Sequence, residues 1–557
     1  MHFRHFSRPP APGAERFSIT AGLAGRRELK PQDKDRVVVE VVQRVLDRWA
    51  ADPASAEAAL FETIYHERRR LEGERDRKQA HRQAAFYDRL YKEALHGNGS
   101  RYRQMLKQVL ENFTREVVGH FDERVYQLAT RVVPTGLSFL LNTVSPLRML
   151  ETLQGSSGLV DQLVIEGETD ALHRLIELGT VILVPTHSSN LDSILLGFAL
   201  HRLGLPPFTY GAGLNLFHNK LIGFFMHNLG AYKVDRRKKA PVYKDVLKTY
   251  AGYSMELGYH NLFFPGGTRS RSGAVEHKLK MGLLGMGLDA TIRNLQARRD
   301  KPDIFVVPCT LNYQLVLEAE TLIDDHLKET GKSRYIIEDD EFSRPRRIYE
   351  WIKQIFSLHS TIHLVVGQPL DVFGNRVDEN GRSLDFRGRP VERARYVLDA
   401  SGRPGFQPQR DREYTRELAG AIVRSFRRNT VLRPIQLVSA AVFDLLRARN
   451  PEMDLYRLLR LGGRDESLPL PDTYQQIDQL LQRVRRRARE GSFKIDETLA
   501  RGDVVAVLSA ALSHLAVYHS KPALERRGDR LFHHNRSLLL YYGNRLHSVM
   551  DGDGGRS

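Results

Sequence analysis

The sequence predicts an α/β domain with a helical region on either side of it, and three observations lead to this fold class. Short apolar runs typical of strands alternate with helical patterns from about residue 163 to residue 370. Before this segment, apolar residues recur at the three- and four-residue spacing of helices that bury one face. The same spacing returns after residue 411. We therefore expect one sheet in the middle of the chain, with helices before and after it.

Composition limits the classes of protein that need to be considered. The chain has 557 residues, 41% of them hydrophobic, which is enough for two to four domains. A formal net charge of +17 indicates anionic partners, such as lipid headgroups or phosphorylated substrates. One cysteine, Cys309, excludes an intramolecular disulfide and a cysteine-rich metal site. We find no apolar core of a signal peptide and no run of 18 apolar residues, so no transmembrane helix is expected.

The pattern divides the chain into six segments. They are a disordered N-terminus (1–28), a helical N-terminal domain (29–155), an α/β domain (156–370), a loop and hairpin insertion (371–410), a helical C-terminal region (411–550) and a disordered tail (551–557). Within the α/β domain the predicted strands are 181–184, 208–210, 231–234, 261–264, 304–308 and 361–366.

Residues 181–192 (VILVPTHSSNLD) are the most informative stretch. The four leading apolar residues indicate a short buried strand, and Pro185 ends it because proline cannot donate to a sheet ladder. Residues 188–190 are polar and are candidate N-caps for an apolar helix that begins near Leu191. The stretch therefore predicts a strand, a tight loop and a helix.

Two side chains in this stretch are candidates for catalysis. His187 is expected in the loop and Asp192 in the first helical turn, where a carboxylate suits the helix dipole. From there the carboxylate can reach one imidazole nitrogen and leave the other to act as a base. The alternative is a pair that only caps the helix.

Residues 263–273 (FFPGGTRSRSG) predict a phosphate-binding turn. Two glycines allow the backbone to approach a ligand closely. Two arginines with one residue between them lie on the same face if the chain is extended there. Guanidinium groups match the oxygens of a phosphate, although a plain basic surface loop is the alternative. The candidate residues are Gly267, Thr268, Arg269 and Arg271.

Two further stretches carry cations. Residues 230–239 (GAYKVDRRKK) combine a strand pattern with a basic cluster that includes Arg236. Lys220 lies in an apolar, aromatic segment, 214–225, which suits either contact with an acyl chain or membrane, or core packing. The apolar segment 136–141 leaves the same two alternatives open. Cys309 follows a buried strand pattern without a nearby base, so we interpret it as a core thiol.

The order of these motifs resembles the glycerol-3-phosphate acyltransferase family, within the wider glycerolipid acyltransferases. His187 and Asp192 match its catalytic His-x4-Asp motif, which is followed, as in that family, by an aliphatic helix. The other similar segments are residues 230–236, 264–271 and 306–308, the Lys280-Met281-Gly282 step and the tyrosine pair in residues 541–545. The resemblance implies a glycerolipid acyltransferase-type αβ catalytic domain.

The resemblance also implies a reaction: transfer of an acyl group from acyl-CoA or acyl-acyl carrier protein to a hydroxyl of glycerol 3-phosphate, giving lysophosphatidate. His187 would act as general base and Asp192 would fix its tautomer. Backbone N–H groups near the helix start would stabilise the oxyanion. No metal or cofactor is expected, because a thioester is already activated. The implied substrate-binding residues are Arg236, Gly267, Thr268, Arg269, Arg271, Lys220 and Lys280.

Two departures from the family pattern leave the acceptor open. In the segment 264–271 the glutamate of the family motif is Gly266 here, and in the segment 230–236 Lys233 replaces the usual aromatic residue. The alternative acceptors are therefore 1-acylglycerol 3-phosphate and dihydroxyacetone phosphate. A silent membrane- or anion-binding protein is a further alternative, but both His187 and Asp192 are retained. We expect peripheral binding to an anionic membrane on its cytoplasmic face, and no nucleic acid, because the basic residues are dispersed and no binding motif is present.

Overall fold

The computed structural model describes residues 33–73, 77–127, 163–213, 224, 226, 228–330, 361–460, 467–516 and 522–551. Four features of the sequence lie outside this described part of the chain: the predicted disordered N-terminus, the apolar segment 136–141, Lys220 and, apart from residue 551, the predicted disordered tail. Of the apolar segment 214–225, only Phe224 is described.

Four complete helices lie in the described part of the N-terminal region, residues 33–127. They are α1 (Lys34–Trp49), α2 (Pro53–Glu72), α3 (Arg77–Ala94) and α4 (Gly99–Val117). The start of α2 follows from its sequence, since the Asp52 carboxylate accepts the N–H of Ser55 at 2.9 Å and Pro53 occupies the first turn. Helix α1 buries a row of valines on one face, whereas Val39 is 67% exposed on the other. Amphipathic faces of this kind explain why these segments form helices that pack.

The middle of the chain forms an α/β sheet. Its strands are β1 (Leu163–Gly167), β2 (Thr180–Pro185), β3 (Thr209–Gly213), β4 (Ala231–Val234), β5 (Asn261–Leu262), β6 (Ile304–Asn312) and β7 (Ile362–Val366). The helices between them are α5 (Thr169–Leu178), α6 (Asp192–Arg202), α7 (Pro241–Glu256), α8 (Met281–Gln296) and α9 (Ala319–Thr330). The six predicted strands therefore form, β4 with the predicted bounds and the other five with shifted ends, and β1 is an addition.

Five parallel strands build the centre of the sheet, in the order β6, β2, β5, β3, β4. Strands β2 and β6 are buried along their whole length, as strands covered on both faces must be. The second half of β6 pairs antiparallel with β7, which pairs parallel with β1. Because the five central strands run the same way, the loops after them meet at one edge.

Residues 370–391, part of the predicted hairpin insertion, extend this sheet. They form four two-residue strands, β8 (Leu370–Asp371), β9 (Arg376–Val377), β10 (Ser383–Leu384) and β11 (Pro390–Val391). Strand β8 pairs with the first half of β6, so the hairpins continue the sheet beside β6. In the tight turns, Asp371, Asp378 and Asp385 each accept backbone N–H groups two and four residues ahead.

The C-terminal region is helical, with short strands that the sequence did not predict. Its helices are α10 (Pro408–Arg428), α11 (Pro434–Arg449), α12 (Leu455–Arg460), α13 (Leu470–Arg489), α14 (Glu497–Arg501), α15 (Val504–Leu515) and α16 (Arg536–Met550). The strands are β12 (Val431–Leu432), β13 (Ser467–Pro469), β14 (Lys494–Ile495), β15 (Leu524–Arg527) and β16 (Arg530–His533). The prediction of helices throughout this region is therefore wrong at these strands. Strands this short depend on partners distant in sequence, so no local pattern reveals them.

Two large hydrophobic cores, and a third of three residues, lie within the described part of the chain. One joins the sheet to the C-terminal helices, with residues of β2, β6 and α11 in a single cluster. The other large core joins α1 to α4 with the face of α7 that carries Tyr243, Val246 and Tyr250. Among the described residues, no helix combines the length and apolar character needed to cross a membrane.

Candidate active site

Loops from four parallel strands converge at the carboxyl edge of the sheet. His187 lies two residues after β2, the glycine turn at Gly266 and Gly267 follows β5, and Arg236 lies two residues after β4. Tyr313 comes directly after β6. In α/β sheets this edge is where ligands bind, because neighbouring loops open a crevice there.

The two candidate catalytic side chains are in contact. His187 Nδ1 lies 2.8 Å from Asp192 Oδ2, and Asp192, the first residue of α6, is fully buried. The same oxygen accepts the N–H groups of Ser188 (2.6 Å) and Ser189 (2.9 Å). The hydroxyl of Tyr313 donates to the other oxygen, Oδ1. Donors on both oxygens hold this buried carboxyl group in one position.

The surroundings of His187 favour its neutral form. Its side chain is 11% exposed and stacks on Phe264, with ring centroids 4.1 Å apart. Burial lowers the pKa of His187 below its usual 6.5; Asp192 raises it, while the charges of Arg269 and Arg236 lower it further. With Nδ1 directed at Asp192, Nε2 is left as the nitrogen available to accept a proton. No hydrogen bond occupies it within the described part of the chain.

The backbone N–H groups of the His187 loop are already occupied by three carboxylates. That of His187 donates to Glu276 Oε1 at 2.6 Å, those of residues 188 and 189 to Asp192, and that of residue 190 to Glu318 Oε1 at 2.9 Å. The expectation that N–H groups near the helix start serve as an oxyanion hole is therefore wrong for residues 187–190. The prediction that one of the polar residues 188–190 caps α6 is also wrong. Leu191 occupies the N-cap position, and its side chain makes no capping hydrogen bond.

The glycine turn is docked directly on the His187 loop. Ser270 N–H donates to the carbonyl of His187 at 2.7 Å. Gly267 has φ +77°, a conformation that favours glycine, and its N–H donates to the Phe264 carbonyl at 3.0 Å. The N–H of Lys280 closes the loop on the Pro265 carbonyl at 2.6 Å. The His187 loop and the glycine turn thus form one rigid unit.

The predicted phosphate-binding arginines converge, but with different partners. Arg269 forms a buried ion pair with Glu318 (3.3 Å), and Arg271 pairs with the exposed Glu329 (2.7 Å). Desolvation, and then the charges of Arg269 and Arg271, lower the pKa of Arg236, although part of its side chain is exposed. Three guanidinium groups close enough to perturb one another create a site that favours an anion.

The other predicted binding residues are placed as follows. The stem of Lys280 packs against the glycine turn, where a Cβ on Gly267 would lie 3.0 Å from Lys280 Cγ. Thr268 lies in the same turn, between Gly267 and Arg269. Lys220 lies outside the described residues. Among the described residues, no group of three or more histidine, cysteine, aspartate or glutamate side chains could hold a metal ion.

Sequence reasoning missed three residues of the site. These residues are Tyr313, Glu276 and Glu318. Each contacts the His187 loop or Asp192 from a position between 89 and 129 residues away in the sequence. A signal was present for Glu318, a single acidic residue in the apolar run 315–319 (LVLEA), because a carboxylate in such surroundings needs a partner. The sequence does not reveal which partner that is.

Helix α16 supports the site from behind. Asn544 Nδ2 donates to the Ser272 carbonyl at 2.9 Å, and the Val275 N–H donates to Ser548 Oγ at 3.0 Å. Arg545 donates to the carbonyl of Leu311 at 3.1 Å, near the end of β6. The tyrosine-pair segment 541–545 therefore helps to anchor the loop that carries Arg269 and Arg271, residues 268–275, which we call the arginine loop.

Comparison with known proteins identifies the same part of the chain. The family model described as Acyltransferase matches residues 168–312, which include His187, Asp192, Arg236 and the arginine loop. A protein of Pseudomonas paraeruginosa strain PA7 named glycerol-3-phosphate acyltransferase is 28% identical over 302 residues, covering 52% of this chain and 32% of that protein. A protein of the same name from Aeromonas hydrophila is 31% identical over 226 residues, covering 40% and 26%.

The chain spans about a third of the length of the curated relatives it matches. A third relative, from Pseudomonas putida strain W619, has the same name and is 28% identical over 282 residues, 50% of this chain and 30% of its own. The match of the family model and these relatives agree with the order of the motifs around the sheet edge. Residues 168–312 therefore match an acyltransferase domain, and the chain is similar over 40–52% of its length to proteins named glycerol-3-phosphate acyltransferase.

Proposed function

We propose that this protein transfers an acyl group from acyl-CoA or acyl-acyl carrier protein to a hydroxyl of glycerol 3-phosphate, giving lysophosphatidate. The observation that carries the proposal is the contact between His187 Nδ1 and Asp192, 2.8 Å long, beside a cluster of arginines. The names of the relatives support this acceptor.

In this reaction His187 Nε2 takes the proton of the acceptor hydroxyl as its oxygen attacks the thioester carbonyl carbon. The C–S bond then breaks, and the thiolate leaves with the proton from the imidazolium. Asp192 keeps Nδ1 protonated and stabilises the imidazolium while it exists. Because the attacking oxygen belongs to the acceptor, no acyl-enzyme forms and no metal or cofactor takes part.

The arginines have a separate task in this proposal. Arg269, Arg271 and Arg236 bind the phosphate of the acceptor and so fix the distance of its hydroxyl from His187. Gly267, Thr268 and Lys280 complete the turn that surrounds the phosphate, and Lys220 is a further candidate. Fork-shaped guanidinium donors suit this role, since they bind phosphate oxygens in pairs.

Sibling acceptors are the second candidate, because 1-acylglycerol 3-phosphate and dihydroxyacetone phosphate carry the same phosphate. The test is acyl-CoA turnover by the purified chain with each acceptor in turn. We expect the highest kcat/KM with glycerol 3-phosphate. A higher value with either sibling transfers the proposal to that acceptor, and absence of turnover with all three, and with both donors, would contradict acyl transfer.

The phosphate-binding role can be tested on Arg271. Loss of one charge-assisted hydrogen bond costs roughly 1.5–3 kcal/mol, so Arg271→Ala should raise the KM of the acceptor about ten- to a hundredfold. The KM of acyl-CoA should change little. Glu329→Ala is the matched control, because it removes the ion-pair partner of Arg271 and keeps the guanidinium. An effect confined to acyl-CoA would assign the arginine to the donor instead.

We also propose that the protein associates peripherally with the cytoplasmic face of an anionic membrane. The net charge of +17 supports this, since each cation near an anionic surface contributes about 1 kcal/mol. Sedimentation with anionic vesicles should fall as salt is added, because salt screens the attraction. Equal recovery with neutral and anionic vesicles at every salt concentration would overturn it.

A further inference from the structure

Glu276 is a buried acidic residue that the proposed reaction does not use. It lies between the arginine loop and α8, and its Oε1 accepts the backbone N–H of His187 at 2.6 Å. Its other oxygen, Oε2, is buried and has no hydrogen-bond partner within the described part of the chain. A carboxyl group buried directly behind the catalytic loop costs free energy, so it calls for an explanation.

The carboxyl group of Glu276 occupies the space in which a side chain at position 266 would begin. A Cβ on Gly266 would lie 2.5 Å from Glu276 Oε2 and 2.8 Å from its Cδ, distances at which atoms overlap. The φ angle of Gly266 lies outside the left-handed region, so the backbone itself would accept a side chain. Glycine at 266 and glutamate at 276 therefore depend on each other.

Several contacts fix the segment that delivers Glu276. The neighbouring Val275 N–H donates to Ser548 Oγ of α16 at 3.0 Å. On its other side, the Lys280 N–H donates to the Pro265 carbonyl at 2.6 Å. The Glu276 carboxyl group itself lies against Gly266, the first glycine of the turn. Glu276 thus connects the His187 loop, the glycine turn and, through its neighbour, the C-terminal helix.

We propose that Glu276 is a positioning residue that supplies, from ten positions further along the chain, the carboxyl group that the family pattern carries at Gly266. It acts on His187 by holding the peptide N–H of that residue, and it sets the distance between the base and the arginine loop. This inference rests on the proposed function. It departs from the expectation that Gly266 weakens the acceptor site, because the missing group is replaced from elsewhere.

Moving the carboxyl group from position 276 to position 266 tests the inference. Glu276→Ala should lower kcat about 10- to 100-fold with little change in either KM, because a small displacement of a catalytic group has an effect of this size. Gly266→Glu should also lower kcat, because its Cβ overlaps Glu276. In the double variant the overlap is removed, and Oε1, 3.3 Å from the Cβ position, lies within the reach of a glutamate at 266.

The double variant should therefore recover to within a few-fold of the wild type. Glu413→Ala, an exposed glutamate in α10, is the matched control and should keep full activity. Wild-type kcat in Glu276→Ala would overturn the inference. So would a double variant that unfolds at the wild-type temperature but is no more active than the worse single variant.

A pH profile separates positioning from a purely structural role. Glu276 faces Asp192 on α6, Arg545 on α16 and the His187 loop, and burial together with Asp192 raises its pKa to about 8. Glu276→Gln imitates the protonated carboxyl group, so near neutral pH it should restore the kcat that Glu276→Ala loses. Ionisation of Glu276 places a charge beside Asp192 and the His187 loop, so as pH rises through about 8, kcat should change in the wild type and not in the Gln variant. Coinciding profiles would contradict the role.

One readout does not depend on turnover. In a crystal structure of Glu276→Ala, the His187 loop should shift and the contact between His187 and Asp192 should lengthen. An unchanged loop would overturn the positioning role even if the wild type were fully active. Absence of wild-type turnover with a displaced loop would instead contradict the proposed function and leave the positioning role of Glu276 standing.

Discussion

The imidazole of His187 lies in surroundings that favour a neutral base. Burial and the charges of Arg269 and Arg236 lower its pKa, against the opposing effect of Asp192. A general base works when it is neutral, so activity should persist below pH 6.5, the usual pKa of histidine. The arginines that attract the anionic acceptor thereby also keep the base unprotonated.

Arg236→Ala tests this coupling at the level of one residue. Removing a cation that lowers the pKa of His187 raises that pKa, so the acid limb of kcat should move to higher pH. The measurement is kcat against pH at saturating acceptor, which separates the shift from weaker binding. An acid limb at the same pH in the variant and the wild type would show that Arg236 does not act on the base.

Among the elements, α16 supports the site from the far end of the chain. Gly273, in the arginine loop, has φ +81°, and a Cβ there would lie 2.1 Å from the Tyr541 carbonyl oxygen of α16. The loop and the helix are therefore in contact without space for a methyl group. This close approach explains why a segment at the end of the chain belongs to the same functional unit as the motifs near residue 270.

Gly273→Ala should destabilise the protein and raise the KM of the acceptor, because the arginine loop must move away from α16. Backbone strain alone costs about 1–3 kcal/mol at such a position, and the overlap adds to it. Gly388→Ala is the matched control, since Gly388 has φ +78° and nothing within 4 Å of its Cβ position. If the two variants lost equal free energy of unfolding and Gly273→Ala left the acceptor KM unchanged, the role of the contact between Gly273 and α16 would be contradicted.

At the scale of the whole molecule, a buried cation joins the N-terminal helices to the sheet. Lys238 Nζ lies 3.2 Å from Glu67 Oε2 and 2.9 Å from Glu116 Oε2, and 4.4 Å from the centre of the Phe113 ring. The basic cluster after β4 thus has two uses, with Arg236 near the site and Lys238 in the interface with α2 and α4.

Lys238→Ala should therefore separate the N-terminal region from the sheet. Removing one partner of a buried ion pair costs about 3–5 kcal/mol, and because Glu67 keeps Arg70 as a second partner we expect a loss near the lower end of this range. The adjacent Lys239 is exposed, so Lys239→Ala should change stability by about 0.5 kcal/mol or less. Chemical denaturation of both variants is the measurement, and similar free energies of unfolding would contradict the interface role.

Local signals explain how much of this molecule its sequence predicts. The strands of the central sheet and the contact of His187 with Asp192 depend on residues close together in the chain, so alternation and spacing reveal them. The partners of that pair, Tyr313 and Glu276, come from distant elements. The occupation of the loop N–H groups by carboxylates also depends on those elements, which is why an oxyanion hole was expected there. Strands of two residues, such as β12, carry no pattern of their own.

The most direct test of the proposed chemistry is the rate of acyl transfer to glycerol 3-phosphate by His187→Ala. Loss of general-base catalysis should lower kcat by about 10²- to 10⁴-fold. The unfolding temperature should be close to that of the wild type, and His173→Ala, an exposed histidine in α5, should keep full activity. Wild-type turnover in a folded His187→Ala variant would contradict the mechanism.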